Sequence, residues 1–147
     1  MKPKRLISLL VAVCMMITML PLSAVTAFAA DTSASTGTAI VDGHKYAYTV
    51  NADDNTATIT RFLGPVDSEG NVDFTNHSPY NITIPTELNG IRVTGIGNYA
   101  FHYLPALTNV TIPQGITSIG DYAFSDCDGL ISATIEEGVP TGANMFY

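Results

Sequence analysis

Apolar and polar positions alternate in short runs through the second half of the chain, and the runs recur. Leu107, Val110 and Ile112 are spaced to send three side chains inward from a short strand, while Asn109 and Thr111 point to the opposite face. Pro113 ends that strand because it cannot donate to a ladder. Gly115 and Gly120 allow the reversals that bring Ile116, Ile119, Ala123 and Phe124 back over it. The run Ile96-Gly97-Asn98-Tyr99-Ala100-Phe101 is matched by Ile119-Gly120-Asp121-Tyr122-Ala123-Phe124, an offset of 23. Leu107 to Ile112 and Leu130 to Ile135 keep that offset, whereas Ile82-Thr83-Ile84-Pro85 precedes Val110-Thr111-Ile112-Pro113 by 28. The earliest unit thus carries extra residues around Leu88-Asn89-Gly90.

Similarity at a fixed period predicts a solenoid, in which each unit buries its apolar side only by stacking on the next. The expected fold is mainly β with short helical turns ending at Phe101 and Phe124, in about two and a half repeats over 81–147. The third unit departs from the pattern. Gly138 to Phe146 is one residue short, Met145 stands where the others have Ala, and no equivalent of Ile119 exists. The chain is therefore read either as a miniature solenoid capped by its N-terminal strands or as a truncated fragment of a longer repeat protein.

Upstream, Tyr46, Tyr48 and Val50 alternate with Lys45, Ala47 and Thr49, and Ala57 and Ile59 begin a second strand. Asp53-Asp54-Asn55 between them is a turn signal. This predicts an N-terminal β-hairpin cap that, with the loop after it, fills 40–80 and covers the sheet edge at that end. Residues 30–39, rich in Ser, Thr and Ala, read as a flexible linker. Gly64 to Pro79 reads as a polar, turn-rich loop, mobile or only partly ordered.

Residues 1–29 have the form of a signal peptide. Lys2, Lys4 and Arg5 precede an apolar run from Leu6 to Leu20, and Ala27-Phe28-Ala29 supplies the small residues of a cleavage site. The run is short of a bilayer span and is followed by Pro21, so no membrane insertion is expected after cleavage. Export would leave Lys45, Arg61 and Arg92 against all 13 acidic residues, a balance of −10, which makes nucleic acid and anionic membranes poor partners. Cys127 would be the one remaining cysteine and reads as a buried thiol.

The pattern Leu107-x-x-Val110-Thr111-Ile112-Pro113, followed by Ile116-x-x-Ile119-Gly120-x-x-Ala123-Phe124, resembles the BspA-like leucine-rich repeats of bacterial secreted and cell-surface proteins. The similarity covers Asn81 to about Phe146. The stretches Tyr46 to Val50 and Thr56 to Thr60 also resemble the strand pair that often precedes the first repeat in that family. The resemblance implies a secreted or cell-surface adhesion module that binds an extracellular protein or glycan.

No catalytic motif is present, so a non-enzymatic protein without cofactor is expected. His44, His77 and His102 are scattered one per segment, which does not suggest a zinc site. Asp67, Glu69, Asn71 and Asp73 alternate like the ligands of a calcium loop, but Val72 takes the place of the required Gly and Ser78 that of the closing Glu, so no metal is expected. The expected ligand surface is the outward strand face, Asn81, Thr83, Asn109, Thr111, Ser132 and Thr134. An alternative is a carbohydrate-binding module that stacks sugars on a column of Tyr99 and Tyr122.

Overall fold

The computed structural model describes residues 35–75, 77–142 and 144–147. The expected signal peptide and residues 30–34 lie outside them. Nine strands follow in order: β1 (Ser35–Val41), β2 (His44–Asn51), β3 (Thr56–Pro65), β4 (Tyr80–Thr83), β5 (Glu87–Leu88), β6 (Ile91–Ile96), β7 (Leu107–Ile112), β8 (Ser118–Ile119) and β9 (Ser132–Ile135). No helix occurs among the described residues. The expected helical turns are runs of hydrogen-bonded turns instead, with Ala100 N–H donating to the Gly97 carbonyl and His102 N–H to that of Tyr99. Tyr99 and Tyr122 interrupt any helix because both hold a left-handed φ of 56°.

Two parallel ladders carry the repeats. β4, β7 and β9 form one, with Asn81 opposite Asn109 opposite Ser132 and Thr83 opposite Thr111 opposite Thr134. β6 and β8 form the other, with Gly95 opposite Ser118 and Ile96 opposite Ile119. Between the ladders, Phe101 N–H donates to the Ala123 carbonyl at 2.8 Å and Phe124 N–H to that of Met145 at 2.9 Å. The shortened third unit therefore keeps its place in the stack: Met145, 3% exposed, supplies the carbonyl that Ala123 supplies one turn earlier.

The N-terminal part is larger than a hairpin. β1, β2 and β3 form an antiparallel meander, and β3 then pairs in parallel with β6, Ile59 opposite Ile96. Phe62 N–H extends the attachment by donating to the Ala100 carbonyl at 2.7 Å. The cap thus covers the ladder that starts at β6, while β4 remains an outer strand of its own sheet.

Residues 35–39 correct the linker expectation, since they lie in β1 and pair with Tyr46 to Val50. Their small size is used in packing: a Cβ on Gly37 would stand 2.8 Å from the Tyr48 ring. Asn89 ties this edge down from the first repeat, its Nδ2 donating to the Thr38 carbonyl at 3.1 Å and to Tyr48 Oη at 2.9 Å. Composition alone reads as linker because the residues are small and polar; pairing with a strand already held by the core overrides it.

The segment after β3 is likewise built on specific contacts. Gly64 and Pro65 belong to β3, and Val66 bridges Val72 across a turn. Asp67 Oδ1 accepts the backbone N–H of Glu69 and of Asn71, each at 2.9 Å, and Thr75 is held in the same way by Asp73.

The core runs continuously from cap to repeats. Tyr46, Ile59 and Phe62 join Ile82, Ile84, Leu88, Val93, Ile96, Phe101, Leu107, Val110, Ile112, Ile116 and Phe124 in one buried cluster. Fully burying such a side chain contributes about 1.5–3 kcal/mol, and Cys127, the one cysteine among the described residues, is free, so this packing holds the described fold without a disulfide.

Candidate binding site

The outward strand residues come together as the sequence pattern requires. Asn81, Asn109 and Ser132 form one column and Thr83, Thr111 and Thr134 a second, in strict register across the three strands. The columns are exposed at both ends and half-buried at Asn109 and Thr111 in the middle strand. Asn109 Nδ2 donates to Asn81 Oδ1 at 2.6 Å, and Thr108 Oγ1 donates to the same oxygen at 2.8 Å. Thr108 also reaches the Tyr80 carbonyl at 3.1 Å, at the register shift between Tyr80 and Asn81. The face is an uncharged array of amides and hydroxyls in which Asn81 is oriented by its neighbours. It can exchange hydrogen bonds with a chain laid across it, and it holds no group for acid–base chemistry.

Tyr99 and Tyr122 also meet, ring centroids 5.4 Å apart and 10° from parallel. One face of each ring is used inside the pair. His102 stands perpendicular against Tyr99 and Tyr147 against Tyr122, so the column is part of a longer aromatic strip. Tyr99 remains 54% exposed.

Asp67 accepts hydrogen bonds from the backbone of Glu69 and Asn71 and from the Asn71 side chain. Its carboxyl is pushed below the ordinary range first by the Asn71 backbone N–H and then by those of Glu69 and Gly70 and the Asn71 side chain. Among the described residues no group of three or more His, Cys, Asp or Glu side chains is placed to hold a metal ion.

One cluster escaped the reading of the sequence. His102 Nδ1 lies 2.8 Å from Ser125 Oγ and 3.3 Å from Asp126 Oδ2. Ser125 Oγ donates to the Tyr122 carbonyl at 3.0 Å, which assigns the imidazole proton to Nδ1, shared between the two oxygens. The serine hydroxyl is aimed at a backbone carbonyl and is buried, so the cluster fastens one turn to the next. His102 and Ser125 stand at equivalent repeat positions, and that spacing was the available signal.

Cys127 is half-buried, its S–H donating to the Phe101 carbonyl at 3.1 Å. Burial pushes its thiol pKa up, and the charges of Asp126 and Asp128 push in the same direction against a backbone N–H from Leu104.

Parallel strand ladders, inward aliphatic side chains and a stacked phenylalanine in each turn define a leucine-rich-repeat solenoid. The family model described as "BspA type Leucine rich repeat region (6 copies)" matches residues 67–147, more than half of the chain, and the chain belongs to that family. Among solved structures, a leucine-rich-repeat protein of T. pallidum shares the fold at 23% identity and a TM-score of 0.51, over 64% of this chain and 38% of that one. A leucine-rich cell-surface protein of Faecalibacterium prausnitzii A2-165 is 31% identical with a TM-score of 0.50, over 73% of this chain and 25% of that one. A leucine-rich repeat protein from Bacteroides capillosus is 29% identical over 69% of this chain and 67% of that one, with a TM-score of 0.49. This chain spans well under half the length of the first two. No curated protein matches it.

Proposed function

We propose that the chain is an exported bacterial binding module that contacts an extended segment of an extracellular protein through the outward face of β4, β7 and β9. The observation that carries this reading is the pair of columns Asn81–Asn109–Ser132 and Thr83–Thr111–Thr134, held in register by the ladder. An uncharged face of short polar side chains selects by shape and hydrogen bonds. The likeness to a cell-surface protein and the signal-type N-terminus support an extracellular setting. The test is binding of the purified chain to a panel of immobilised extracellular matrix proteins, with Asn109→Arg/Thr111→Arg as the variant. Loss of binding with unchanged thermal melting is expected, and intact binding would remove this face from the reading.

Export has its own test. Cleavage after Ala29 leaves a species of roughly 12 kDa in the medium or on the cell surface. An intact mass that still includes the first 29 residues would overturn it.

The exposure of Tyr99 favours glycan binding as a second reading. Retention on polysaccharide affinity gels should then vanish in Tyr99→Ala/Tyr122→Ala, and unchanged retention would remove it.

A further inference from the structure

Outside the last repeat unit, the most exposed large apolar side chains among the described residues are Phe74, 82% exposed, and Tyr103, 69%. One comes from the segment after β3 and the other from the turn before β7, yet both line a single groove of about 330 Å³. Leu63, Tyr80, Leu104 and Pro105 continue its apolar lining. Both rings are carried on fastened backbone. Asp73 N–H donates to the Pro65 carbonyl and Thr75 N–H to Asp73 Oδ1, each at 2.9 Å, which fixes the chain on either side of Phe74. Tyr103 N–H donates to the Ser125 carbonyl at 3.0 Å, and Tyr103 holds a left-handed φ of 58°. One repeat later the equivalent place is taken by Asp126 at a φ of 53°, so the turn itself does not call for an aromatic residue.

The chemistry of the lining selects the occupant. Its carboxylate and imidazole are already engaged: Asp73 Oδ1 also accepts the Thr75 hydroxyl at 2.7 Å, and His77 Nδ1 donates to the Thr75 carbonyl at 2.8 Å. A glycan would need such groups for its hydroxyls, and a charged segment would need a counter-charge. A second copy of the exported chain would bring its own balance of −10 against this one, and like charges disfavour association. A neutral, apolar, extended segment fits instead. Proline suits it best, because its ring has no N–H to leave unpaired and the polyproline II helix is ordered before it binds.

We propose that this groove binds a proline-rich segment of a partner protein in polyproline II form, with one pyrrolidine ring against Phe74 and another against Tyr103. Prolines three residues apart return to the same edge of that helix about 9 Å apart, so one segment can serve both rings. The surface is separate from the polar strand face and from the column of Tyr99 and Tyr122, and it stands without either reading.

The probe is fluorescein-labelled decaproline, with a Gly-Ser decapeptide as control, read by anisotropy on the purified chain. Decaproline should bind and the Gly-Ser peptide should not, with little change in affinity as salt is raised. Phe74→Ser/Tyr103→Asn should weaken binding tenfold or more, as loss of aromatic anchors does. Asn tolerates the left-handed φ at position 103, and Phe74 is exposed, so the melting temperature should be unchanged. In the unaltered chain, the ring resonances of Phe74 and Tyr103 should shift on titration with decaproline, while Asn109→Arg/Thr111→Arg should bind it as before. Equal binding of both peptides, an affinity unaffected by the double variant, or unshifted Phe74 and Tyr103 rings would overturn the proposal. So would cellohexaose shifting these rings where decaproline does not, or a concentration-dependent dimer that the double variant abolishes.

Discussion

The Phe101 ring lies on that of Phe124, centroids 4.9 Å apart and 14° from parallel, and the same stack continues to Phe62 at 5.7 Å and to Phe146 at 5.5 Å. Phe101 and Phe124 are one repeat apart, whereas Phe62 comes from the cap. The stack joins cap and repeats into one cooperative core, in which each repeat is stabilised only by its neighbours.

Phe101→Ala should therefore cost about 3–5 kcal/mol, the range for truncating a buried aromatic side chain, and should loosen cap and repeats together. Denaturant unfolding followed by tyrosine fluorescence and by far-ultraviolet circular dichroism is the measurement. Separate transitions for the two probes would show that the stack does not couple them.

Two glycines should respond differently to alanine. A Cβ on Gly120 would run into the side chain and backbone of Asn98 and the backbone of Gly97, and Gly120 N–H also donates to the Ile96 carbonyl. Gly90 has open space but a φ of 78°. Gly90→Ala should cost about 1–2 kcal/mol from backbone strain alone. Gly120→Ala should cost more, because backbone must move as well, and an equal loss in chemical denaturation would contradict this packing.

His44 stands between Phe62 and Tyr80, ring centroids 5.7 and 5.6 Å away. Burial lowers its pKa from the ordinary value of 6.5, partly offset by the hydrogen bond its imidazole donates to the Asp42 backbone carbonyl and by the charge of the Asp42 carboxylate. The folded state thus takes up the proton less readily than the unfolded chain. This contribution to stability is full above pH 6.5 and is lost as pH falls below it. Melting temperature against pH should show a decline on that side that is reduced in His44→Phe, and an NMR titration of His44 should give a midpoint below that of free histidine.

Burial also raises the hydroxyl pKa of Tyr80 to about 12 and that of Tyr46 further. Both hydroxyls stay neutral in the folded state when the unfolded chain would ionise near pH 10, so stability is present below pH 10 and is lost as pH rises through the folded values. An alkaline titration at constant temperature should show delayed ionisation followed by cooperative unfolding. Simple ionisation of every tyrosine near pH 10 without unfolding would rule this out.

Cys127 should react slowly with a disulfide reagent at neutral pH, since its thiol pKa is raised by burial and the S–H is given to a backbone carbonyl. Reaction at the rate of a free cysteine in the native chain, with full rate in denaturant as the reference, would show the site to be open.

The repeats were legible because their determinants recur at short, fixed separations. The inward Leu107, Val110 and Ile112, the outward Asn109 and Thr111, and the stacking of Tyr99 on Tyr122 all follow from an offset of 23 together with strand geometry. The expected binding face needed only that the offset become a ladder. Even the contact of His102 with Ser125 was present in that spacing.

Other features depended on contacts with no period. β1 forms from residues that look like linker because β2 is already fixed by the burial of Tyr46 and Tyr48, and Gly37 leaves room for the Tyr48 ring. β3 reads locally as half of a hairpin, yet it also joins β6 in parallel and places Phe62 in the phenylalanine stack. Pairing across such separations has no local signal, because its free energy arises only once both partners are held by the core. The short third unit is settled in the same way. Met145 departs from the repeat consensus in sequence, but it fills the same buried place and offers the same carbonyl, because packing selects volume and backbone position rather than residue identity.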